Sequence, residues 1–127
     1  MTDKEANARA VITQLRAYSS RLDEIMNGIG DKRQLTPSEK THLQNLLTSL
    51  KSDLNAEVKR GNTISDRKEL NRFEEQYLHP AVCEASVAIR VKTNSHPIKS
   101  NWYSELYDAQ IDIDFLLHQL EKQYPEP

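Results

Sequence analysis

At 127 residues, the chain is long enough to bury an apolar core without disulfides, because a chain of this size removes roughly two-thirds of its unfolded surface from water. The net charge is −2, so the chain lacks the basic excess typical of nucleic-acid-binding domains. Its one cysteine excludes an internal disulfide, and no apolar run approaches the ~20 residues that span a bilayer. With 3 glycines and a charged N-terminus without a signal segment, a single helical, cytoplasmic domain covering 1–127 is expected.

The first predicted helix runs from about Asp3 to Met26. Its apolar residues recur alternately three and four positions apart, which is the 3.5-residue period of a bundle seam. They are Ala8, Val11, Leu15, Tyr18, Leu22, Ile25 and Ile29. Either Gly28 or Gly30 suits the left-handed conformation that caps many helices, so we expect the first helix to end there.

The second helix begins at a capping box, in which Thr36 is the N-cap and Glu39 occupies the third helical position. Its buried face is predicted to comprise Leu43, Leu46, Leu47, Leu50, Leu54 and Val58. Gly61 directly follows Lys59 and Arg60. Because cations and a glycine are typical of a helix C-terminus, the second helix is predicted to end at Gly61.

The third helix is predicted to begin near Ser65 or Asp66 and is interrupted by Pro80. Proline removes one helical hydrogen bond and usually kinks the axis, so the segment is either one kinked helix or two short helices. Its apolar stripe comprises Leu70, Phe73, Tyr77, Ala81, Ala85 and Ala88, flanked by Leu78, Val82 and Ile89. Alternation from Val87 to Thr93 also allows a strand, but a lone strand has no evident partner, which favours the helix.

The fourth helix follows a loop predicted at 93–99, with Ser100 as its N-cap. Its stripe again alternates by three and four residues and comprises Trp102, Leu106, Ala109, Ile113, Leu116, Leu120 and Tyr124. Short connections between long helices favour antiparallel neighbours. The sequence therefore predicts an all-α, up-down-up-down four-helix bundle with a third helix kinked at Pro80. A bundle completed by a second copy of the chain is the alternative.

No motif in the sequence points to catalysis, a cofactor or a metal. The chain contains no nucleophile elbow, phosphate loop or dinucleotide fingerprint, and Cys83 beside the buried stripe is more typical of a small core residue. Glu39 and His42 have the spacing of a bundle metal site, but Glu39 already serves as a cap and the sequence identifies no further ligands. No catalytic residue, metal ligand or cofactor is assigned, and a metal-dependent bundle enzyme is the least favoured hypothesis.

Two surfaces are candidates for binding a protein partner. The first combines cationic and aromatic side chains of the kinds that dominate interfaces, namely Arg90, Lys92, His96, Trp102 and Tyr103. One alternative for this group is that Trp102 begins the core stripe and the lysines only solubilise a loop. Another is that its cations and aromatic rings bind single-stranded nucleic acid. The second surface is an acidic stripe on one face of the fourth helix, Glu105, Asp108 and Asp112, which suits a basic partner.

A second basic cluster surrounds the connection between the second and third helices. It comprises Lys59, Arg60, Arg67, Lys68 and Arg72. Such cations bind phosphates, so a dimeric, nucleic-acid-associated regulator is the alternative function. By elimination, the favoured hypothesis is a non-enzymatic protein-binding module of the adaptor, inhibitor or immunity type. Its expected partner is another protein, with a homodimer also open and no membrane involved.

Overall fold

A computed structural model describes residues 3–30, 35–66, 72–89 and 102–125, and these residues are almost entirely helical. The elements are α1 (Asp3–Ile29), α2 (Pro37–Asp66), a π-helical segment (Glu74–Leu78), α3 (His79–Ala88) and α4 (Trp102–Gln123). The described ranges contain no strand, and none of their helices is both long and apolar enough to cross a membrane. The all-α class predicted from the sequence is therefore confirmed.

Each helix runs antiparallel to the next one in the chain, and α4 returns beside α1. Four pairs of neighbouring residues show this alternation: Gly28 with Leu43, Gly61 with His79, Tyr77 with Gln123, and Arg9 with the carbonyl of Pro125. The first two pairs join the end of one helix to the start of the next. The last two bring the C-terminal end of α4 to the starts of the third helical segment and of α1. The predicted up-down-up-down bundle is confirmed.

All four helices contribute to one apolar core, and the predicted stripes supply most of it. One position in α4 differs, because Leu117 is buried at 5% exposure whereas the predicted Leu116 is only partly buried. From Trp102 to Leu120, the buried positions follow the 3.6-residue period of a straight α-helix. The predicted stripe has the same average period and differs only in the order of its last two steps, which placed the buried position one residue early at that turn.

The two helix ends predicted around the first connection are confirmed. Gly30 follows α1 with a φ of 52°, a left-handed conformation that favours glycine, and its N–H donates to the carbonyl of Met26 at 2.8 Å. At the start of α2, the N–H of Glu39 donates to Thr36 Oγ1 at 3.2 Å. The N–H of Thr36 donates in return to Glu39 Oε1 at 3.0 Å, which completes the capping box.

The predicted end of the second helix is wrong, because α2 continues past Gly61 to Asp66. Gly61 is buried under the side chain of His79, and a Cβ at Gly61 would lie 2.2 Å from His79 Nδ1. Glycine is therefore required here for the close approach of two helices and not as a cap. Ser65, which was predicted to begin the third helix, belongs to α2.

The helix that contains Pro80 is continuous from Arg72 to Ala88 and accommodates the proline with a π turn. The N–H of His79 donates to the carbonyl of Glu74, five residues earlier, instead of the usual four. The predicted disturbance by Pro80 is thus present as a π turn, and it lies within one continuous helix. The helix prediction also holds as far as Ala88, after which the backbone becomes extended. Leu70, Ser100, the loop at 93–99 and the possible strand residues after Ile89 lie outside the described residues.

Candidate docking face on α4

Four large apolar side chains lie on the solvent side of α4, where a bundle helix usually carries polar residues. Their exposed fractions are 42% for Tyr103, 50% for Tyr107, 48% for Ile111 and 63% for Phe115. Each follows the previous one by four residues, and residues at this spacing form a continuous ridge inclined about 26° to the helix axis. We call these four residues the α4 ridge.

The α4 ridge is not explained by the packing of the bundle. The buried face of α4 is already supplied by other residues, among them Leu106, Ile113 and Leu120. The rings of Tyr103 and Tyr107 stack on each other, with centroids 6.5 Å apart and planes 12° from parallel. A single exposed apolar side chain needs no explanation, but a contiguous row is typical of an interaction site.

A shallow groove between α3 and α4 adjoins the ridge. It has a volume of about 390 Å³ and is lined by Cys83, Glu84, Val87, Ala88 and Asp112. Val87 is 75% exposed, the largest exposed fraction among the described large apolar side chains. Asp112 of the groove lies three residues before Phe115 of the ridge, and residues at this spacing are neighbours on a helix surface, so the groove adjoins the ridge there.

Carboxylates border this surface on the side that faces α3. Asp112 lies in the groove with Glu84, and Asp108 lies one helical turn before Asp112 on the same face. Neither Asp108 nor Asp112 makes a hydrogen bond or ion pair with any described residue. Within the bounds of α3 and α4, Lys122 is the only lysine or arginine. The surface is therefore apolar along the ridge and acidic along one flank.

The acidic flank is held at some cost in stability. Partial burial, and to a lesser degree the neighbouring charge of Asp108, raises the pKa of the Asp112 carboxyl above its ordinary value. Both causes disfavour the ionised form of Asp112. A cation placed beside Asp108 and Asp112 would offset the repulsion between them.

The acidic residues on the opposite side of α4 have a structural role instead. Asp114 accepts a hydrogen bond from Ser19 at 2.7 Å, and Glu121 pairs with Arg16 of α1 at 2.6 Å. These contacts join α4 to α1 in register. Asp114 and Glu121 thus help to hold the bundle together, whereas Asp108 and Asp112 lie on the flank that faces α3.

The structure brings together part of the partner-binding set predicted from the sequence. Tyr103 is exposed and belongs to the α4 ridge, while Asp108 and Asp112 form its acidic flank. Glu105 is half-buried on the same helix. Trp102 is only 5% exposed and packs in the core, so its indole is not part of the surface. The remaining members, Arg90, Lys92 and His96, lie outside the described residues.

The sequence analysis missed three of the four ridge residues, Tyr107, Ile111 and Phe115. A signal was present, because these residues continue the four-residue spacing from Tyr103 and fall away from the core stripe. An apolar row on the polar face of an amphipathic helix is a local pattern. The predicted apolar stripe of the fourth helix contains only residues at the core spacing, so it leaves this second apolar row out.

One member of the predicted basic cluster is engaged in structural ion pairs. Arg60 donates to Glu57 at 2.7 Å and to Glu74 at 2.6 Å, which links α2 to the π-helical segment. These charge-assisted hydrogen bonds raise the pKa of the Arg60 guanidinium. Of the other members, Lys59 and Arg72 are exposed, and Arg67 and Lys68 lie outside the described residues.

The cysteine and histidine side chains do not assemble into a reactive or metal-binding group in the described part of the chain. Cys83 Sγ lies 3.7 Å from His79 Nε2, but burial and the nearby charge of Glu84 raise the pKa of the thiol. A raised pKa keeps the thiol neutral, and the thiolate is the form that acts as nucleophile or ligand. Among the described residues, no three His, Cys, Asp or Glu side chains are grouped to hold a metal ion.

Comparison with known proteins finds no matching family model, no matching curated protein and no matching solved structure. Function must therefore be inferred from the surface of the chain itself. The α4 ridge, its acidic flank and the adjoining groove are the features of that surface which bundle packing leaves unexplained.

Proposed function

We propose that this chain is a protein-binding module whose docking face is the α4 ridge together with the α3–α4 groove. The observation that supports the proposal is the row of four large apolar side chains, each 42–63% exposed. Aromatic side chains contribute much of the affinity at protein interfaces, and three of the four are aromatic. An adaptor, an inhibitor or an immunity-type protein would work through such a face, because each acts by occupying its partner.

The nucleic-acid alternative has less support in the described residues. The flank of α4 that faces α3 is acidic and would repel a phosphate backbone. In the basic cluster, Arg60 is already paired with two glutamates, which leaves Lys59 and Arg72 as its exposed members in the described ranges. Within the described ranges, these two cations supply little of the phosphate neutralisation on which such binding depends.

The experiment is a quantitative pull-down from lysate of the native host, with nuclease treatment and detection by mass spectrometry. The test variant is Tyr107→Ser/Phe115→Ser, which removes two exposed rings from the α4 ridge. The matched control is Asn45→Ser, an exposed position on α2, which lies across the bundle from α4. Both variants carry serine at exposed helical positions, so their helix propensities change in similar ways.

We expect a stoichiometric protein that survives nuclease treatment, is captured by the wild type and by Asn45→Ser, and is lost with the ridge variant. Capture that is equal for all three proteins would show that the docking face lies elsewhere. Associated material that disappears with nuclease would favour the nucleic-acid alternative. If none of the three proteins captures a partner, the binding-module proposal loses its main support.

A further inference from the structure

The α4 ridge has the geometry of one half of a helix–helix interface. Its members are spaced four residues apart, and two ridges of this kind interdigitate when their helices cross at about 50°. A helix laid across α4 in this way would pack an apolar row against Tyr107, Ile111 and Phe115. Its flank on the α3 side would then lie over the groove that contains Val87 and Asp112.

The charges beside the α4 ridge indicate which side chains the docking helix carries on its flank that faces α3. Glu84, Asp108 and Asp112 border the α3 side, and within α3 and α4 the only lysine or arginine is Lys122, in the last turn of α4. Asp108 and Asp112 accept no hydrogen bond from any residue in the described ranges, and carboxylates bind cationic donors strongly. Lysine or arginine side chains on the docking helix would supply these donors and reduce the repulsion between the two carboxylates.

A second copy of this chain fits the face less well than a basic partner does. In an antiparallel pair of α4 helices related by a twofold axis, the same flank of each copy faces the other. Asp108 and Asp112 would then meet their own counterparts, and such like-charge contacts are unfavourable. In a parallel pair, the one lysine or arginine within the bounds of α3 and α4, Lys122, stays at the far end of α4.

From these three observations we infer that the α4 ridge receives an amphipathic helix of another protein, with an apolar row spaced by four residues and lysine or arginine on the flank facing α3. The inference rests on the proposed function, since it specifies the partner of the same face. It adds the partner's secondary structure and charge, which the pull-down does not test.

The probes are three synthetic peptides added to the isotope-labelled full chain and followed by nuclear magnetic resonance. The first peptide carries a leucine row spaced by four residues with lysines along one flank. The second replaces each lysine with glutamate. The third has the composition of the first in scrambled order, so that leucine and lysine no longer segregate. Titration to millimolar peptide makes weak binding visible.

We expect only the first peptide to shift the amide signals from Tyr103 to Phe115. Asp108→Asn/Asp112→Asn should weaken its binding by about fivefold, because two partly exposed ion pairs are lost. Added salt should weaken the binding of the wild type more than that of this variant. Tyr107→Ser/Phe115→Ser should abolish it, and an unchanged pattern of amide signals away from α4 confirms that both variants are folded.

Equal binding of the first and second peptides would overturn the charge assignment, and equal binding of the scrambled peptide would overturn the helical one. Absence of binding by all three peptides would also overturn the inference. Concentration-dependent shifts of the ridge without any peptide would point to a second copy as the occupant. In each of these cases, a partner captured through the ridge in the pull-down would leave the proposed function standing.

Discussion

The imidazole of His79 lies directly on Gly61, where the start of α3 passes over α2. A Cβ at Gly61 would stand 2.2 Å from Nδ1 and 2.7 Å from Cε1 of the ring. Cys83 also contacts the His79 ring, with its Sγ 3.7 Å from Nε2. The absence of a side chain at Gly61 therefore determines how closely the two helices approach.

Gly61→Ala should destabilise the protein although alanine is the better helix former. In an unhindered helix interior this substitution is expected to stabilise by about 0.5–1 kcal/mol. Here the new Cβ displaces the His79 ring, and overpacking of this kind costs about 1–3 kcal/mol. Urea unfolding followed by circular dichroism should show a lower free energy of unfolding for Gly61→Ala than for the wild type.

Gly61→Ala should instead stabilise the protein in a variant that lacks the His79 ring. In His79→Ala, the space above Gly61 is open, so adding Gly61→Ala should raise the free energy of unfolding by about 0.5–1 kcal/mol. The double-mutant cycle thus separates the contact from helix propensity. If Gly61→Ala stabilised the protein in both backgrounds, the close approach of α3 would be refuted.

Gly61 also shows which parts of the fold the sequence could predict. The core stripes and the Thr36–Glu39 capping box depend on residues three or four positions apart, so their patterns are complete within one helix. The reason for Gly61 lies on a different helix, at His79. A glycine that follows two cations therefore resembles a cap until the neighbouring helix is in place.

The candidate site was harder to predict because exposure depends on the rotational phase of α4. Trp102 and Tyr103 are adjacent and were assigned to the same surface, yet one is buried and the other belongs to the ridge. The acidic flank at Asp108 and Asp112 was predicted, since charge is visible in the sequence. The rest of the ridge required knowing which face of α4 the core already occupies.

Arg60→Gln should lower the stability of the bundle by about 0.5–1 kcal/mol, the range for ion pairs that are partly exposed to solvent. The guanidinium joins Glu57 of α2 to Glu74 of the π-helical segment, so its loss removes a link between two elements. Lys59→Gln is the matched control and should change stability by less than about 0.5 kcal/mol. Chemical unfolding at low and high salt should show that the difference shrinks as salt screens the pairs. Equal stability of the two variants at low salt would mean that the Arg60 pairs contribute nothing.

Asp112→Asn should raise the melting temperature at neutral pH and lose this advantage in acid. Because partial burial and Asp108 raise the pKa of Asp112, its protonation is more favourable in the folded chain than in the unfolded one. The stability associated with that proton is present at low pH and is lost as the pH rises through the folded-state pKa. Asparagine stays neutral throughout, so the melting curves of wild type and variant should converge below pH about 4.

Asp108→Asn should also raise the melting temperature at neutral pH, but by less than Asp112→Asn. Removing the Asp108 charge takes away the smaller of the two causes that raise the pKa of Asp112. The variant should therefore give part of the stabilisation seen for Asp112→Asn at neutral pH. A lower melting temperature for Asp112→Asn at neutral pH would instead indicate that the carboxylate makes a stabilising interaction within the bundle.

Phe115→Ala and Leu117→Ala should have very different effects on stability, although the two residues lie on the same helix turn. Leu117 is 5% exposed in the core, so its truncation should lower the free energy of unfolding by about 2–5 kcal/mol. Phe115 is 63% exposed, so its truncation should change the free energy of unfolding by less than about 0.5 kcal/mol. Guanidinium unfolding at two protein concentrations measures both values. A large, concentration-dependent loss for Phe115→Ala would show that the ridge is covered by another copy of the chain. A small, concentration-independent change would mean that the ridge does not stabilise the fold, which leaves its exposed rings available to a partner.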